Sequence, residues 1–370
     1  MKRGYPSVRL SLLILMLALL WRMLGAPLTG EQWRSLDVPF WQARTLLPGR
    51  LERVLQLWCG GGEGHAPGGS SQSQSISDEN LILLGARAEE PVLLQVWNDQ
   101  SGKMETMELE TYVYGVVAAE MPAAYHMEAL RAQAVAARTR AVCQQAGEGC
   151  SLAEGADVCT RSGHCQGYAA RDSLLEKWGN EYTIYQQRLV EAVGTTQGQV
   201  LTYDGSPIEV MYHAISGGRT EDVQAVFARS LPYLVSVDSP EEGVRGYRQD
   251  TRFSLGEAAQ LLAKAFPKLN VTPEGLQRTL VIASHTATGR VESLLLCDGQ
   301  VDATDFRKAL GLRSTMFTFT MDADSITFHQ TGYGHGVGMS QAGANRMAAD
   351  GNLYEEILSH YYPGTTLEKQ

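Results

Sequence analysis

Residues 110–122 read Glu-Thr-Tyr-Val-Tyr-Gly-Val-Val-Ala-Ala-Glu-Met-Pro, and they predict a helix that ends just before the final proline. Glu120 shares one face of this helix with three valines, Val113, Val116 and Val117. These positions have the i, i+3, i+4, i+7 spacing of a buried stripe. Because acidic side chains are rarely buried, Glu120 is either an ordinary acid at a helix end or a partly desolvated one.

Partial burial would give Glu120 a chemical role. Desolvation raises the pKa of a carboxyl group and keeps its proton available near neutral pH, as a general acid requires. The helix C-terminus disfavours the anionic form further. Glu120 is therefore the candidate catalytic residue.

The rest of the chain predicts an α+β fold. Besides residues 108–121, helices are expected at residues 127–143, 254–265, 303–310, 341–349 and 354–361. Strands are expected at residues 80–84 and 92–97, and hairpins at 198–213 around Asp204-Gly205 and at 280–297 around Thr288-Gly289. We expect mixed helices and antiparallel β-hairpins in one large domain, residues 79–370, with room for a smaller inserted or packed subdomain.

Length and charge limit the class of protein. A chain of 370 residues can bury a substantial core. Its net charge of -10 argues against a protein that holds nucleic acid or anionic lipid through bulk positive charge. A polymer substrate must therefore be held locally, in a groove.

The first residues predict export and membrane attachment. Three cations, Lys2, Arg3 and Arg9, precede the apolar run at residues 10–21. The small-residue cleavage site after this run is poor, which favours a retained signal anchor at residues 1–26 over a cleaved signal peptide. The expected location is the cell membrane, with a single pass, the basic end in the cytoplasm and the catalytic domain extracytoplasmic.

Residues 27–78 are expected to connect this anchor to the folded domain. Residues 27–59 mix aromatic and leucine side chains with charges, as a juxtamembrane amphipathic stretch does, and they either rest on the bilayer, contact a membrane partner or pack against the main domain. Residues 60–77 are rich in glycine and serine, which is typical of a flexible linker.

Two glycine-rich loops carry polar side chains. The loop at residues 332–341 lacks a Walker lysine, so a nucleotide site is not indicated, and it is either a tight turn or a ligand loop with His335, Ser340 and Gln341 as contacts. The loop at residues 216–221 follows His213 and begins with Ser216, but no G-x-S-x-G motif is present. HExxH is absent too, so neither a serine hydrolase nor a zincin is indicated.

Cysteines cluster in one part of the sequence. Cys150, Cys159 and Cys165 lie close together, with His164 and Asp157 among them. Outside the cytoplasm they would form disulfides, for example Cys143 with Cys150, whereas Cys-x5-Cys beside a histidine also suits a tetrahedral zinc. The spacing leaves both interpretations open, and Cys59 and Cys297 are expected to be free or buried.

Several segments together resemble the SpoIID/LytB family, and they occur in one order between residues 80 and 367. They are Val-Val-Ala-Ala-Glu-Met-Pro at 116–122, Ala-Leu-Arg-Ala-Gln-Ala-Val-Ala-Ala-Arg-Thr at 129–139, His-Ala-Ile-Ser-Gly-Gly-Arg-Thr at 213–220, Pro-Tyr-Leu at 232–234, Leu-Gly-Leu-Arg-Ser-Thr-Met-Phe at 310–317, and Gly-His-Gly-Val-Gly-Met-Ser-Gln-Ala-Gly-Ala at 334–344.

The resemblance implies a peptidoglycan lytic transglycosylase that acts in forespore engulfment during sporulation. In that family the glutamate of Glu-Met-Pro is the catalytic acid, which here is Glu120. It protonates the oxygen between N-acetylmuramic acid and N-acetylglucosamine, then accepts the C6 hydroxyl proton, giving a 1,6-anhydro end with no required cofactor. Ordinary glycosidases need two carboxylates, and the sequence shows no second acid in a comparable setting.

Two other activities remain as alternatives. Some LytB-type relatives are thought to be non-catalytic glycan-binding amidase enhancers, but a binding module has no need of the desolvated acid before Met-Pro. A hydrolytic muramidase would instead leave reducing ends.

The resemblance also implies partners and site residues. The partners are peptidoglycan strands stripped of stem peptides, an integral membrane scaffold and an amidase or endopeptidase that strips those peptides. Some members bind zinc through His-x5-Cys-x5-Cys. Cys159 and Cys165 match the two cysteine positions of this motif, but Ala153 occupies the histidine position. If zinc binds, Cys150 or His164 must substitute, and the site would be structural because it lies away from Glu120 in the chain. Membership of the motifs makes seven residues candidate substrate contacts: Arg131, Gln133, Arg138, Ser216, His335, Ser340 and Gln341.

Overall fold

The computed structural model describes residues 91–370, which all belong to one compact unit. The predicted anchor at 1–26, the connecting stretch at 27–78 and the strand at 80–84 lie outside the described residues. Within residues 91–370, no helix combines the length and the apolar character needed to cross a membrane.

The helices of the described region are α1 Leu109–Glu120, α2 Met127–Ala146, α3 Arg171–Trp178, α4 Tyr182–Thr195, α5 Val223–Phe227, α6 Leu255–Ala265, α7 Pro273–Thr279, α8 Ala303–Leu310, α9 Gln341–Ala349 and α10 Tyr354–Tyr361. The strands are β1 Leu93–Asn98, β2 Lys103–Glu108, β3 Val158–Cys159, β4 Gln199–Tyr203, β5 Ser206–Pro207, β6 Tyr212–His213, β7 Arg248–Ser254, β8 Val281–His285, β9 Val291–Leu296, β10 Gly299–Asp302, β11 Phe317–Met321, β12 Ser325–Thr331, β13 Met339–Ser340 and β14 Thr366–Lys369.

The strands form several small sheets instead of one large one. Their orders are β2-β1-β3, β14-β4-β5, β13-β6, β10-β9-β8 and β11-β12-β7. Most pairings are antiparallel, while β1 with β3 and β6 with β13 pair in parallel over two residues each. The fold is thus a mixture of helices and small, mainly antiparallel sheets, as expected for the α+β class.

Helix α1 follows the sequence prediction closely. Val113, Val116 and Val117 are fully buried, which confirms the apolar stripe. Met121 leaves the helix with extended backbone, φ -122°, as required of a residue that precedes proline. The helix therefore ends at Glu120 and places this side chain at the edge of the core.

Helix α2 lies at the centre of the first hydrophobic core. Most of its residues from Ala129 to Ala141 are buried, and it contacts α1, α4, α9, α10 and β4. Its many alanines permit these close contacts, because a methyl side chain keeps the neighbouring backbones near one another. The chain after Cys143 continues one turn beyond the predicted helix end.

The two predicted hairpins have different outcomes. The turn at Asp204-Gly205 is confirmed, with both residues at positive φ, but β5 stops at Pro207, because proline donates no hydrogen bond to a ladder. The expected second strand at 208–213 is wrong except for β6, which pairs with β13 instead. The hairpin around Thr288-Gly289 is confirmed as β8 and β9.

A second hydrophobic core is built from residues 255–328 alone. It packs α6, α7 and α8 against the sheets β10-β9-β8 and β11-β12-β7. In the sequence this stretch interrupts the first core, which uses residues 94–234 and 337–362. The second core is thus formed by one continuous stretch of the chain, which lies in the sequence between the two parts of the first core.

Candidate active site

Glu120 is half-buried at the last position of α1, and its carboxylate has one backbone partner. The Gly167 amide donates a hydrogen bond to Oε1 at 2.6 Å, across 47 residues of sequence. A Cβ atom on residue 167 would lie 2.8 Å from the same oxygen, so glycine alone permits this approach. The carboxylate is thereby held in one orientation.

The environment of Glu120 favours its protonated form. Burial raises the pKa of the carboxyl group, and the Gly167 hydrogen bond and the positive charge of Arg140 oppose this only in part. Among the described residues, no second carboxylate is one of the influences on this pKa. The carboxyl group of Glu120 is therefore partly desolvated and has a raised pKa, which is the second of the two possibilities that the sequence left open.

Arg140 and Tyr212 complete the surroundings of Glu120. Arg140 donates to the carbonyls of Val210 at 3.1 Å and His164 at 3.2 Å, and its Nε is buried without a partner. Burial and the charge of Glu120 raise the pKa of the Tyr212 phenol well above its usual value, so this group stays neutral. Sequence patterns did not single out Arg140, Tyr212 or Gly167, because only the tertiary fold brings them to Glu120.

His335, one of the candidate substrate contacts, is linked to this group through the charge of Arg140. Its pKa is lowered to about 4 by burial and by the charges of arginines that include Arg140, so the ring is neutral at physiological pH. Its Nδ1 accepts the Val337 amide at 3.1 Å, which leaves the proton on Nε2. The ring packs against His213, with centroids 5.6 Å apart.

The glycine-rich loop at residues 332–341 packs closely against another segment of the protein backbone. Gly338 has φ +70°, and a Cβ there would lie 2.0 Å from the Met211 carbonyl oxygen. The loop thus packs directly on the chain that leads into β6. The close approach that the glycines predicted is present, between two segments of the same protein.

Ser216 and Ser340 bind a carboxylate that the sequence analysis missed. Both are fully buried, and both hydroxyls donate to Glu241, Ser216 to Oε1 and Ser340 to Oε2. The Gly217 amide also donates to Oε1, at 2.7 Å. Glu241 is only 1 % exposed, so this network holds the two glycine loops together from inside. The expectation that these serines contact a sugar is not supported, since polar glycine loops look alike whether they face a ligand or a buried carboxylate.

The candidates on α2 also have partners within the protein. Arg138 is fully buried and forms a two-pronged ion pair with Glu110. Gln133 is fully buried, and its Oε1 accepts a hydrogen bond from Gln341 at 3.3 Å. Arg131 is partly exposed and pairs with Glu128. In this structure Arg138 and Gln133 are thus engaged with partners inside the protein, and their role as sugar contacts stays a prediction.

The four predicted metal ligands converge on one point. The ligand atoms of Cys150, Cys159, His164 and Cys165 all lie within 4.8 Å of one another. The His164 Nδ1 is 3.6, 3.5 and 3.4 Å from the three sulfurs, in sequence order. A tetrahedral zinc with ordinary bond lengths would separate nitrogen and sulfur by about 3.6 Å.

The chemistry of this cluster also fits zinc. A hydrogen bond from the Cys165 thiol lowers the pKa of Cys159 to about 4, which provides a thiolate. Nε2 of His164 lies 3.0 Å from the Ser151 hydroxyl, and with zinc on Nδ1 it would donate to this oxygen, the outer contact that fixes a metal-binding histidine. Asp157 takes no part, because it accepts the Gln95 amide of β1.

No disulfide joins any of the cysteines that the structure describes. Cys143 and Cys297 are unbridged, and Cys150 belongs to the cluster, so the pairing of Cys143 with Cys150 is not found. Cys59 lies outside the described residues. The geometry therefore favours the metal over the disulfide interpretation.

The cluster is not remote from Glu120, contrary to the inference from sequence distance. Cys165 lies two residues before Gly167, which bonds to Glu120. The His164 carbonyl accepts from Arg140, whose charge acts on the same carboxyl group. Distance along the chain was misleading because β3 and the following loop fold back onto α1.

Comparisons with known proteins show the family to which the chain is related. Residues 98–203 match the family model described as SpoIID, stage II sporulation protein. The chain is 35% identical over 280 residues to stage II sporulation protein D of Bacillus subtilis (strain 168), which covers 75% of this chain and 80% of that protein. It is 35% identical over 282 residues to the protein of the same name from Bacillus amyloliquefaciens, covering 76% and 80%.

A further relative bears a different name. The amidase enhancer of Bacillus subtilis (strain 168) is 27% identical over 301 residues, which is 68% of this chain but only 40% of that protein. The identity and coverage are greater for the sporulation proteins. The chain therefore belongs to the stage II sporulation protein D (SpoIID) family.

Proposed function

We propose that the protein is a lytic transglycosylase that cleaves peptidoglycan strands between N-acetylmuramic acid and N-acetylglucosamine during forespore engulfment. The observation that carries this proposal is Glu120, a half-buried carboxyl group whose pKa is raised by burial, with no other carboxylate of the described residues among the influences on that pKa. Two-carboxylate hydrolysis needs a second acid to activate water or attack the sugar. A single acid suits a reaction in which the sugar supplies its own nucleophile.

The proposed reaction has two proton transfers. Protonated Glu120 gives its proton to the glycosidic oxygen as the bond from C1 breaks, leaving an oxocarbenium-like muramoyl ring. The resulting carboxylate accepts the proton of the C6 hydroxyl as O6 bonds to C1. The products are an N-acetylglucosamine end and a 1,6-anhydromuramoyl end, and no water is consumed.

The neighbours of Glu120 support both transfers. After the first transfer and before the second, Glu120 is an anionic carboxylate, and the Gly167 amide and Arg140 stabilise that anion. Burial then favours return of the proton. Glu120 can serve first as acid and then as base because burial favours its protonated form, while the Gly167 amide and Arg140 favour its anionic form.

The cellular location and the partners are proposed from the resemblance to the same family. It comprises a single-pass anchor in the cell membrane, an extracytoplasmic catalytic domain, an integral membrane scaffold and an amidase or endopeptidase that removes stem peptides first. No cofactor takes part in the chemistry. The cysteine cluster is proposed to hold a structural zinc through Cys150, Cys159, His164 and Cys165, and elemental analysis of the purified chain decides this.

The test of the activity is the chemical nature of the new ends. The full-length protein in detergent is incubated with purified glycan strands that carry no stem peptides, and the products are analysed by mass spectrometry. We expect 1,6-anhydro ends, which are lighter than hydrolysed ends by one water. Reducing ends would identify a hydrolytic muramidase instead.

The similarity to the amidase enhancer supports a second candidate function. A non-catalytic enhancer would leave the strands intact and raise the rate of an added peptidoglycan amidase. Intact strands together with a stimulated amidase would therefore replace the transglycosylase proposal with this one.

Cleavage is expected to lose activity as pH rises through the pKa of Glu120. The first step needs the protonated acid, and burial places the pKa above the ordinary glutamate value of 4.5, so the alkaline limb of kcat/KM lies above that value. Arg140→Gln removes a charge that lowers this pKa and is expected to move the limb to higher pH. Arg131→Gln, on the same helix, is the control with an unchanged limb. A downward shift in Arg140→Gln would contradict the assignment.

A further inference from the structure

The chain between the cysteine cluster and Glu120 is very short. Cys165 is a member of the cluster, and the amide two residues later, that of Gly167, donates to the Glu120 carboxylate at 2.6 Å. Two residues span at most about 7 Å. A displacement of the Cys165 backbone is therefore passed directly to the group that orients the acid.

The residue between them is fixed on both sides. Gln166 is 2% exposed, its Nε2 donates to the Ala137 carbonyl of α2 at 3.3 Å, and its Oε1 accepts the Tyr212 hydroxyl at 2.8 Å. Arg140 of α2 donates to the carbonyl of His164, two residues before Gln166. The segment thus bridges the cluster and the two side chains, Arg140 and Tyr212, that surround Glu120.

Space at residue 167 makes the contact specific. A Cβ atom there would lie 2.8 Å from Glu120 Oε1 and 3.6 Å from the Ser162 Cβ, so a side chain would push the carboxylate away. Gly167 does not have a positive φ. Its glycine is therefore required by the approach of Glu120, and not by backbone conformation.

We propose that residues 159–167 are the positioning segment of Glu120, and that zinc held by the cluster fixes this segment so that the Gly167 amide meets the carboxylate. Gly167 is then a positioning residue, and metal content controls the geometry of the acid. Without metal the four ligand side chains contact one another only through weak thiol and imidazole hydrogen bonds, so the cluster end of the segment is held less firmly. The proposal rests on the proposed function only for the role of Glu120 as the acid.

The test measures metal and geometry without turnover. The full-length protein is expected to carry about one zinc by elemental analysis. Removal of zinc by a chelator is expected to accelerate hydrogen exchange of the Gly167 amide by about tenfold or more, because its hydrogen bond to the Glu120 carboxyl group is lost. The Glu120 carboxyl, followed by carbon NMR, is expected to titrate at higher pH once this donor has moved.

Three controls make the outcomes decisive. Cys165→Ser is expected to reproduce the effect of the chelator, and Gly167→Ala to reproduce it with zinc still bound. Gly256→Ala, where an added Cβ meets nothing within 4 Å, is the matched control with no effect. Strand β9 in the second core is expected to keep its exchange rate throughout, which separates local from global opening.

Several results would overturn the proposal. The first is a chain that binds no zinc, and the second is a Gly167 amide that exchanges at the same rate with and without metal. The third is an equal acceleration of amide exchange in β9, which would mean that the metal stabilises the whole fold. The chelator measurement on the natural chain stands even where a variant does not fold. Failure to cleave glycan would contradict the proposed function, but the zinc content, the exchange rate of the Gly167 amide and the titration of Glu120 could still be measured.

Discussion

Glu120→Gln is expected to lower the rate of glycan cleavage by about 10³-fold while the protein stays folded. Glutamine has the shape of glutamate and keeps an oxygen that accepts the Gly167 amide, but it has no proton to give to the leaving oxygen. Burial, the Gly167 hydrogen bond and the charge of Arg140 are the influences on this pKa, so we expect no other carboxylate to take over the proton transfer. The measurement is the initial rate of 1,6-anhydro end formation from peptide-stripped strands.

The stability of this variant gives an independent check. Burial raises the folded-state pKa of Glu120, so its contribution to stability is present at low pH and is lost as pH rises through that pKa. At neutral pH the substitution therefore removes no stabilising charge, and the melting temperature is expected to be unchanged or higher.

The control for Glu120→Gln is Glu176→Gln, an exposed glutamate on α3 that is expected to keep full activity. Cleavage by Glu120→Gln within tenfold of the natural rate would assign the proton transfer to another group. A loss of both activity and melting temperature would show that the side chain supports the fold instead.

Strong local signals explain which elements were predictable. Helix α8 runs from Ala303 to Leu310 as expected, because Asp302 caps its first turn and Gly311 ends it in the left-handed conformation. Strand β7, residues Arg248–Ser254, carries mainly polar side chains and was missed. It is a strand because its backbone pairs with β12 along its whole length, which no local pattern reports.

The candidate site was predictable only in part, for the same reason. Glu120 stood out because an acid on an apolar stripe breaks the helical pattern. Gly167, Arg140 and Glu241 did not stand out, since each acts through partners that lie far away in the sequence. Motif membership predicted residues that matter without distinguishing sugar contacts from internal hydrogen bonds, and Ser216 and Ser340 are of the latter kind.

Arg138 illustrates this distinction. Its side chain is fully buried, and Nε and Nη2 bond to the two carboxylate oxygens of Glu110 at 2.8 and 2.7 Å. Its Nη1 also donates to the Gln199 carbonyl at 3.1 Å, which ties α2 to β4. The pair joins α1, α2 and β4 at the centre of the first core.

Arg138→Ala is expected to destabilise the protein by about 3–5 kcal/mol, because Glu110 would be left as an unpaired charge in the interior. The melting temperature is expected to fall by about 10 °C, measured by circular dichroism. The matched control is Arg219→Ala, whose ion pair with Asp238 is exposed and worth less than about 1 kcal/mol.

A double replacement separates the cost of the unpaired charge from the loss of packing. Arg138→Met combined with Glu110→Leu removes both charges and keeps apolar volume, so it is expected to recover much of the stability lost in Arg138→Ala. Below its melting temperature Arg138→Ala is expected to keep the natural KM for glycan, since no sugar reaches a fully buried guanidinium. A raised KM without destabilisation would indicate that Arg138 is a substrate contact. A loss of stability as small as that of Arg219→Ala would show that the buried ion pair contributes little to the stability of the fold.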